Sequence, residues 1–170
     1  MQTLPKTIAT PRLSLRPLLI DDAQDIARGC NDPAVAQMTG SFVTPYFPHA
    51  AAFFILRQPS LQRRGLAQHW LMECDGGVLG CVGLTRATSN DIWEIGYWLA
   101  RHAWGKGYAT EVVRAVVDTT RPAKLSAKVF ADNPASLRVL QKCGFTVVDE
   151  DESHCMERQA TVKGWMLRLE

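Results

Sequence analysis

No Cys-x-x-Cys pair occurs in this chain. Its five cysteines (Cys30, Cys74, Cys81, Cys143, Cys155) are scattered and odd in number. That argues against a disulfide framework and predicts reduced, mostly buried thiols in a cytoplasmic protein. The four histidines, His49, His69, His102 and His154, are equally dispersed, so no metal site is expected. No lysine- or arginine-rich run accompanies the net charge of +2, which leaves little footprint for a nucleic-acid partner. Nor do basic residues interleave with Trp70, Trp93, Trp98 and Trp165, so these read as core or pocket wall rather than a base-stacking face. The longest apolar run, Ala50 to Leu56, is far too short to span a bilayer, and no membrane partner is expected. Met1 to Pro11 lacks the apolar core of a secretion signal. A Gly-x-Ser-x-Gly elbow is also missing, which excludes a triad hydrolase of that type.

What is present is an ordinary globular composition: 170 residues, 46% hydrophobic and 21% charged. One domain spanning 1–170 is expected, able to bury roughly 70% of its unfolded surface. Arg12 to Leu18 alternates apolar and polar residues and predicts an opening strand. Asp21-Asp22 then supply cap and first-turn acid for a helix carrying Ala23, Ile26 and Ala27. Asn31 to His49 is a proline-punctuated connection with room for short helices, of the kind that lines binding sites. Ala50 to Arg64 reads as a second helix that Pro59 ends or kinks. Gln68–Cys74 and Val78–Thr85 are strands around a hairpin signal, Asp75-Gly76-Gly77. Ile92–Ala100 is the next strand, and Ala109–Thr120 a helix whose valines share one face. Leu125–Ala131 follows as a strand. A helix then opens on Asn133-Pro134 and stops at Gly144. Phe145–Val148 and Val162–Leu169 close the chain. The order predicts a mixed, mostly antiparallel twisted α/β sheet of six to seven strands flanked by about four helices.

The stretch from Trp104 to Glu111 carries the chemistry. Gly105 and Gly107 allow positive φ and close ligand approach. The helix after them points unpaired N–H groups and its positive dipole end back at the turn, a ready phosphate site. A Walker-type loop fails twice, with Ala100 at its first glycine and Gly107 at its hydroxyl position. A dinucleotide fingerprint fails at Thr110, where a third glycine is needed. The acyl-coenzyme A loop, [Gln/Arg]-x-x-Gly-x-[Gly/Ala], fits at Gly107 and Ala109, with Trp104 replacing its leading residue. A turn with glycines only for steric reasons fits this motif equally well.

A second constellation decides between them. Asn133-x-x-Ser136-x-x-x-Leu140-x-x-x-Gly144-Phe145 resembles the closing motif of the GNAT N-acetyltransferase superfamily, one strand after its coenzyme A loop. Thr10-Pro11-Arg12-Leu13-Ser14-Leu15-Arg16-Pro17, Gly80-x-x-Gly83-Leu84 and Glu94-Ile95-Gly96-Tyr97-Trp98-Leu99 are similar to the branch named for ribosomal-protein N-terminal acetyltransferases (RimJ/RimL-like). The resemblance runs from about Ile8 to Leu169 and implies the GNAT fold. It also implies an acetyl-CoA-dependent N-acetyltransferase acting as monomer or homodimer, without metal, on a primary amine: a protein N-terminus or a small molecule.

Acetyl transfer to an amine has three needs. The donor must be held: the amides of Gly105, Lys106, Gly107, Tyr108 and Ala109 suit its pyrophosphate, with Trp104 and Thr110 flanking them. The Lys106 side chain fits a solvated loop lysine better than a phosphate ligand, and that of Tyr108 packs beside the loop. By resemblance, the backbone of Tyr97, Trp98 and Leu99 pairs with the pantetheine amides and offers an N–H to the thioester carbonyl, and Asn133 both caps its helix and contacts coenzyme A. The amine must also be neutral, although amines titrate near ~8 to ~10.4. Glu94 is the candidate base, because apolar Trp93 and Ile95 would raise its pKa. An alternating strand equally allows it to face solvent, and Asp91 is the substitute. Finally, the departing sulfur needs a proton. Many GNAT enzymes supply it from a tyrosine where this chain has Leu140, so that role does not carry over. The resemblance gives it to Ser136, whose other role is local backbone bonding. An idle acyl-coenzyme A binding module is the alternative function.

Overall fold

The computed structural model describes residues 4–86, 92–121 and 123–169. Asp91, the substitute base, lies outside them. The chain opens with strands β1 (Ile8–Ala9) and β2 (Ser14–Arg16), then a 3-10 turn (Ile20–Asp22) and helix α1 (Ala23–Cys30). Helices α2 (Pro33–Ala36) and α3 (Pro48–Arg63) precede strands β3 (Ala67–Cys74), β4 (Gly77–Arg86) and β5 (Ile92–Leu99). A 3-10 turn (Arg101–Ala103) leads to α4 (Tyr108–Thr120), β6 (Lys124–Phe130), α5 (Pro134–Lys142), β7 (Thr146–Cys155) and β8 (Ala160–Leu169).

These strands form one sheet in the order β1-β2-β3-β4-β5-β6-β8-β7, antiparallel everywhere except between β5 and β6. It has one strand more than the expected maximum. Ile8–Ala9 is only two residues long and pairs with Leu15 and Ser14, too short to leave a periodic signal. The fifth α-helix, four-residue α2, sits in the connection where short helices were expected. Its cap is Asp32, which accepts from Ala34 N–H at 2.8 Å.

Two layers cover the sheet. On one face, Val112, Val113, Val116 and Val117 of α4 and Leu140 of α5 pack onto Leu84, Ile95, Leu125 and Leu167. Valine is a mediocre helix former. Here all four valines are buried on one stripe, each contributing about 1.5–3 kcal/mol, which outweighs the propensity cost. On the other face, Ile26, Ala27 and Cys30 of α1 and Ala51 and Ile55 of α3 pack with Leu71 and Trp98. This second layer covers β3 to β5 and leaves β6 to β8 open.

Five local expectations need correction. Pro59 does not end α3, which runs on to Arg63. Pro59 is exposed, on the side where water can replace the missing bond, while Ala51 and Ile55 hold the helix by burial. The Asp22 side chain does not cap α1. It accepts from Leu19 N–H at 2.6 Å and takes a bidentate pair from Arg16 at 2.8 and 2.9 Å. The α3 helix starts at Pro48, a favoured first-turn residue. The closing strand β7 runs to Cys155 rather than stopping at Val148, because its acidic outer half pairs with β8 beyond the core. The β3–β4 hairpin turns on Asp75 and Gly76 alone, both at positive φ (49° and 76°), as a two-residue primed turn requires.

Candidate active site

Strand β5 is bonded differently along its two edges. It pairs with β4 from Trp93 to Leu99, but with β6 only over Ile92–Glu94 against Lys124–Ser126. Beyond Glu94 the two parallel strands part, and the β5 edge from Ile95 to Trp98 has no strand partner on that side. Unpaired backbone at such an edge takes an extended polar ligand as it would take a strand. The indole N–H of Trp104 donates to Leu99 O at 2.8 Å. Trp104 thereby fastens the glycine loop to the end of β5.

The loop ends in the open start of α4. Gly107 is the N-cap residue at φ +79°, with no side-chain cap bond, and Gly105 has φ +74°. Nothing approaches a Cβ built on Gly105, and only an Arg12 nitrogen, at 3.6 Å, approaches one on Gly107. The first intrahelical bond of α4 is Glu111 N–H to Gly107 O at 3.1 Å, so the amides of Tyr108, Ala109 and Thr110 are free of helical partners. These residues fit a pyrophosphate by their donors and their dipole. Lys106 and Trp104 are exposed, while Tyr108, Ala109 and Thr110 are half-buried.

Arg12 organises this loop, a role that its place in the opening motif does not reveal. Its guanidinium donates to Glu111 Oε2 at 2.7 Å and to Lys106 O at 2.9 Å, and lies 4.5 Å from the Tyr108 ring centroid. Glu111 Oε1 also accepts from Thr10 Oγ1 at 2.6 Å and from Arg12 N–H at 2.9 Å. Burial works against the Glu111 charge, but the bonds from Thr10 and Arg12 outweigh it and hold the carboxyl below its ordinary range. A groove of about 940 Å³ runs from this corner along α4, past Thr110 and Arg114 to Lys142.

The parting of β5 and β6 brings Ser136 and Tyr97 together. Asn133 caps α5 by accepting from Ser136 N–H at 3.1 Å. Ser136 Oγ stands 2.8 Å from Tyr97 Oη. Burial raises the Tyr97 phenol to about 12, Ser136 pulls it down, and Cys143 nearby adds to the rise.

Side chains alternate along a strand, so Glu94 faces the opposite side from Tyr97, the side of α1 and α3. Glu94 is half-buried and accepts no hydrogen bond among the described residues. Burial raises its pKa, Lys128 on β6 lowers it, and Asp151 on β7 raises it. Lys128 Nζ is held by Asp151 at 2.9 Å, and Asp151 also accepts from Ser153. Next to Glu94 on that face, Gly96 is exposed with nothing near its Cβ position, so the floor is open. The connection after α2 forms the far wall. Thr44 N–H and Oγ1 both donate to Glu157 at 2.6 Å, and Arg158 Nε donates to Gln37 O at 2.9 Å. No cluster of three His, Cys, Asp or Glu that could hold a metal occurs among the described residues. No described helix is long and apolar enough to cross a membrane.

A gap lined by free amides, with a carboxyl on one face and paired hydroxyls on the other, suits acyl transfer. Comparison with known proteins agrees. The family profile of the acetyltransferase (GNAT) domain matches residues 12–146. An uncharacterized N-acetyltransferase, p20 of Bacillus licheniformis, is 28% identical over 148 residues, covering 82% of each chain. Mycobacterium smegmatis RimJ, solved in complex with CoA-disulfide, superposes with a TM-score of 0.85 at 19% identity, over 97% of this chain and 87% of that one. The microcin C7 self-immunity acetyltransferase MccE, solved with acetyl-CoA and AMP, gives 0.82 at 17% identity over 98% of each. The chain belongs to the GNAT acetyltransferase family.

Proposed function

We propose that this chain, as a single catalytic domain, transfers the acetyl group of acetyl-CoA directly to a primary amine. The carrying observation is the parting of β5 and β6 beside the uncapped start of α4. The amides of Gly105 to Thr110 hold the pyrophosphate, and the groove past Arg12, Arg114 and Lys142 suits the phosphate-bearing end beyond it. The free edge of Tyr97 and Trp98, ending at Leu99 whose carbonyl Trp104 occupies, holds the pantetheine arm, with Asn133 and Ser136 across from it. When bound, the donor supplies an activated acetyl group. The chain binds it, orients it, takes up the amine's proton and offers a hydroxyl to the departing sulfur.

Glu94 is the base. Partial burial, with no hydrogen-bonding partner among the described residues, keeps its proton affinity high enough to take a proton from an incoming ammonium. The amine approaches over Gly96, on the face walled by the connection after α2. Ser136 lies on the opposite side of the gap, where the sulfur departs, so base and hydroxyl flank the reacting centre. Cys143, the cysteine near Tyr97, donates its thiol to Thr110 O at 3.6 Å and is held protonated by burial, which supports direct transfer over an acyl-enzyme.

Incubation with acetyl-CoA and a pool of peptides, polyamines and aminoglycosides, read by mass spectrometry, tests this. An increment on peptide amino termini makes the chain a protein-modifying enzyme, and one on a small amine makes it a metabolic or protective one. Glu94→Gln is expected to lower kcat about 100-fold or more while leaving the acetyl-CoA Kd within about twofold. Equal loss of both sinks the base assignment.

A further inference from the structure

Resting on that function, we propose that Tyr97 is a positioning residue for acetyl transfer: its phenol holds the Ser136 hydroxyl so that the seryl proton points at the leaving sulfur. Three observations meet here. The 2.8 Å contact joins two hydroxyls from different elements, β5 and the first turn of α5, across the gap. Ser136 is fixed on its backbone side by Asn133, leaving χ1 and the hydroxyl rotor as its remaining freedoms. And position 140, which carries the acid tyrosine in many resembling enzymes, is a leucine buried in the core, so no phenol reaches the gap from α5.

The direction of the bond follows from acidity. A phenol is a stronger acid than an aliphatic alcohol and therefore the better donor. Burial, acting with Cys143 and against Ser136, keeps it protonated far above neutral pH. With Tyr97 Oη–H donating, the Ser136 oxygen accepts, and its own proton is turned away from the strand. A donor that itself accepts a hydrogen bond is polarised and donates more strongly.

In the reaction the ammonium first loses one proton through Glu94 to solvent; the neutral amine nitrogen then gives its lone pair to the acetyl carbon and its surplus proton to the freed Glu94 carboxylate. The carbon–sulfur bond breaks with its electron pair going to sulfur. Ser136 Oγ–H hydrogen-bonds to that pair, so sulfur departs as a stabilised thiolate and no proton leaves Ser136 or Tyr97. Solvent later protonates the thiolate and takes the proton from Glu94.

Bound coenzyme A itself is the probe, its thiolate followed by ultraviolet absorbance against pH. Tyr97→Phe removes one oxygen. It is expected to raise the pKa of the bound thiol by about one unit, a tenfold loss of thiolate stabilisation. Ser136→Ala should raise it at least as far, and the double variant should match Ser136→Ala alone. Turnover with the best acceptor should show the same pattern: kcat down about tenfold in Tyr97→Phe, with the KM for acetyl-CoA within about twofold. An unchanged thiol titration in Tyr97→Phe overturns the proposal. So does a double variant whose loss is the sum of the two singles, or loss of coenzyme A binding in Tyr97→Phe, which would make Tyr97 a packing residue. If Ser136→Ala leaves the titration unmoved, the serine assignment falls and Tyr97 falls with it. Failure of every amine to accept acetyl indicts the proposed function alone, since the thiol titration needs no acceptor.

Discussion

Helices α4 and α5 begin beside the same gap and begin in opposite ways. The first residue position of α5 is closed by its own sequence: Asn133 accepts from Ser136 N–H, and Pro134 removes a donor that would have gone unmet. The start of α4 is left open: Gly107 has no side chain to offer, and three consecutive amides face outward. A cap residue such as Asn or Ser at position 107 would gain a capping bond and occupy the donors, against the strain of a side chain at φ +79°. The chain forgoes that gain at one helix and takes it at the other, so the two ends divide the work between binding an anion and aiming a hydroxyl.

Closing the open end should have the largest effect. Gly107→Asp tolerates the left-handed φ better than most residues and places a carboxylate where the pyrophosphate is proposed to sit. Titration calorimetry is expected to show acetyl-CoA affinity falling about 30-fold or more, while the strain of a side chain at positive φ lowers Tm by a few degrees. Unchanged affinity would mean the phosphates sit elsewhere. Opening the closed end should cost less. Asn133→Ala loses a cap worth about 1 kcal/mol, which for a domain of this size lowers Tm by about 2–4 °C. A Tm within half a degree of wild type would show that the cap bond contributes nothing. The smallest effect belongs to the tie behind the open end. The Glu111 carboxyl is held below its ordinary value near 4.5 by Thr10 and Arg12 against the opposing effect of burial. A depressed carboxyl stabilises the fold above its unfolded pKa, and that stability is lost as pH falls through the folded pKa. Glu111→Gln is therefore expected to lower Tm by about 1–2 °C at pH 7, with the difference closing below the ordinary glutamate range. A gap that persists at pH 3 would place the effect in packing rather than charge.

How legible these two ends are in the sequence differs for a physical reason. Asn133-Pro134 and Gly107 are local signals: a cap, a fixed φ and a missing Cβ each act on the residue that carries them. Periodicity likewise marks α4 and the middle strands, because the buried stripe of valines lies on one helix. What periodicity could not place is whatever depends on a partner far along the chain. Ile8–Ala9 is a strand only because Ser14 and Leu15 lie beside it, and the acidic half of β7 is a strand only because β8 runs antiparallel to it. Arg12 meets Glu111 across 99 positions. The contact between Tyr97 and Ser136 was hidden for the same reason. Each residue was singled out separately, but their meeting depends on where β5 and β6 part, which no local spacing encodes.

The wall of the amine side has a temporal consequence. Thr44 and Gln37 are tied to Glu157 and Arg158 across 113 and 121 positions, whereas the pieces that line the donor side, Thr10 to Arg12 and Trp93 to Phe145, all precede residue 146. A contact cannot form before both partners have been synthesised, and long loops are slow to close. As the chain emerges from the ribosome, the donor side therefore gains its parts first. The amine side is finished only after residue 158 has left the tunnel, so a chain stalled short of that point would carry every residue of the donor side and no fixed wall to select an acceptor.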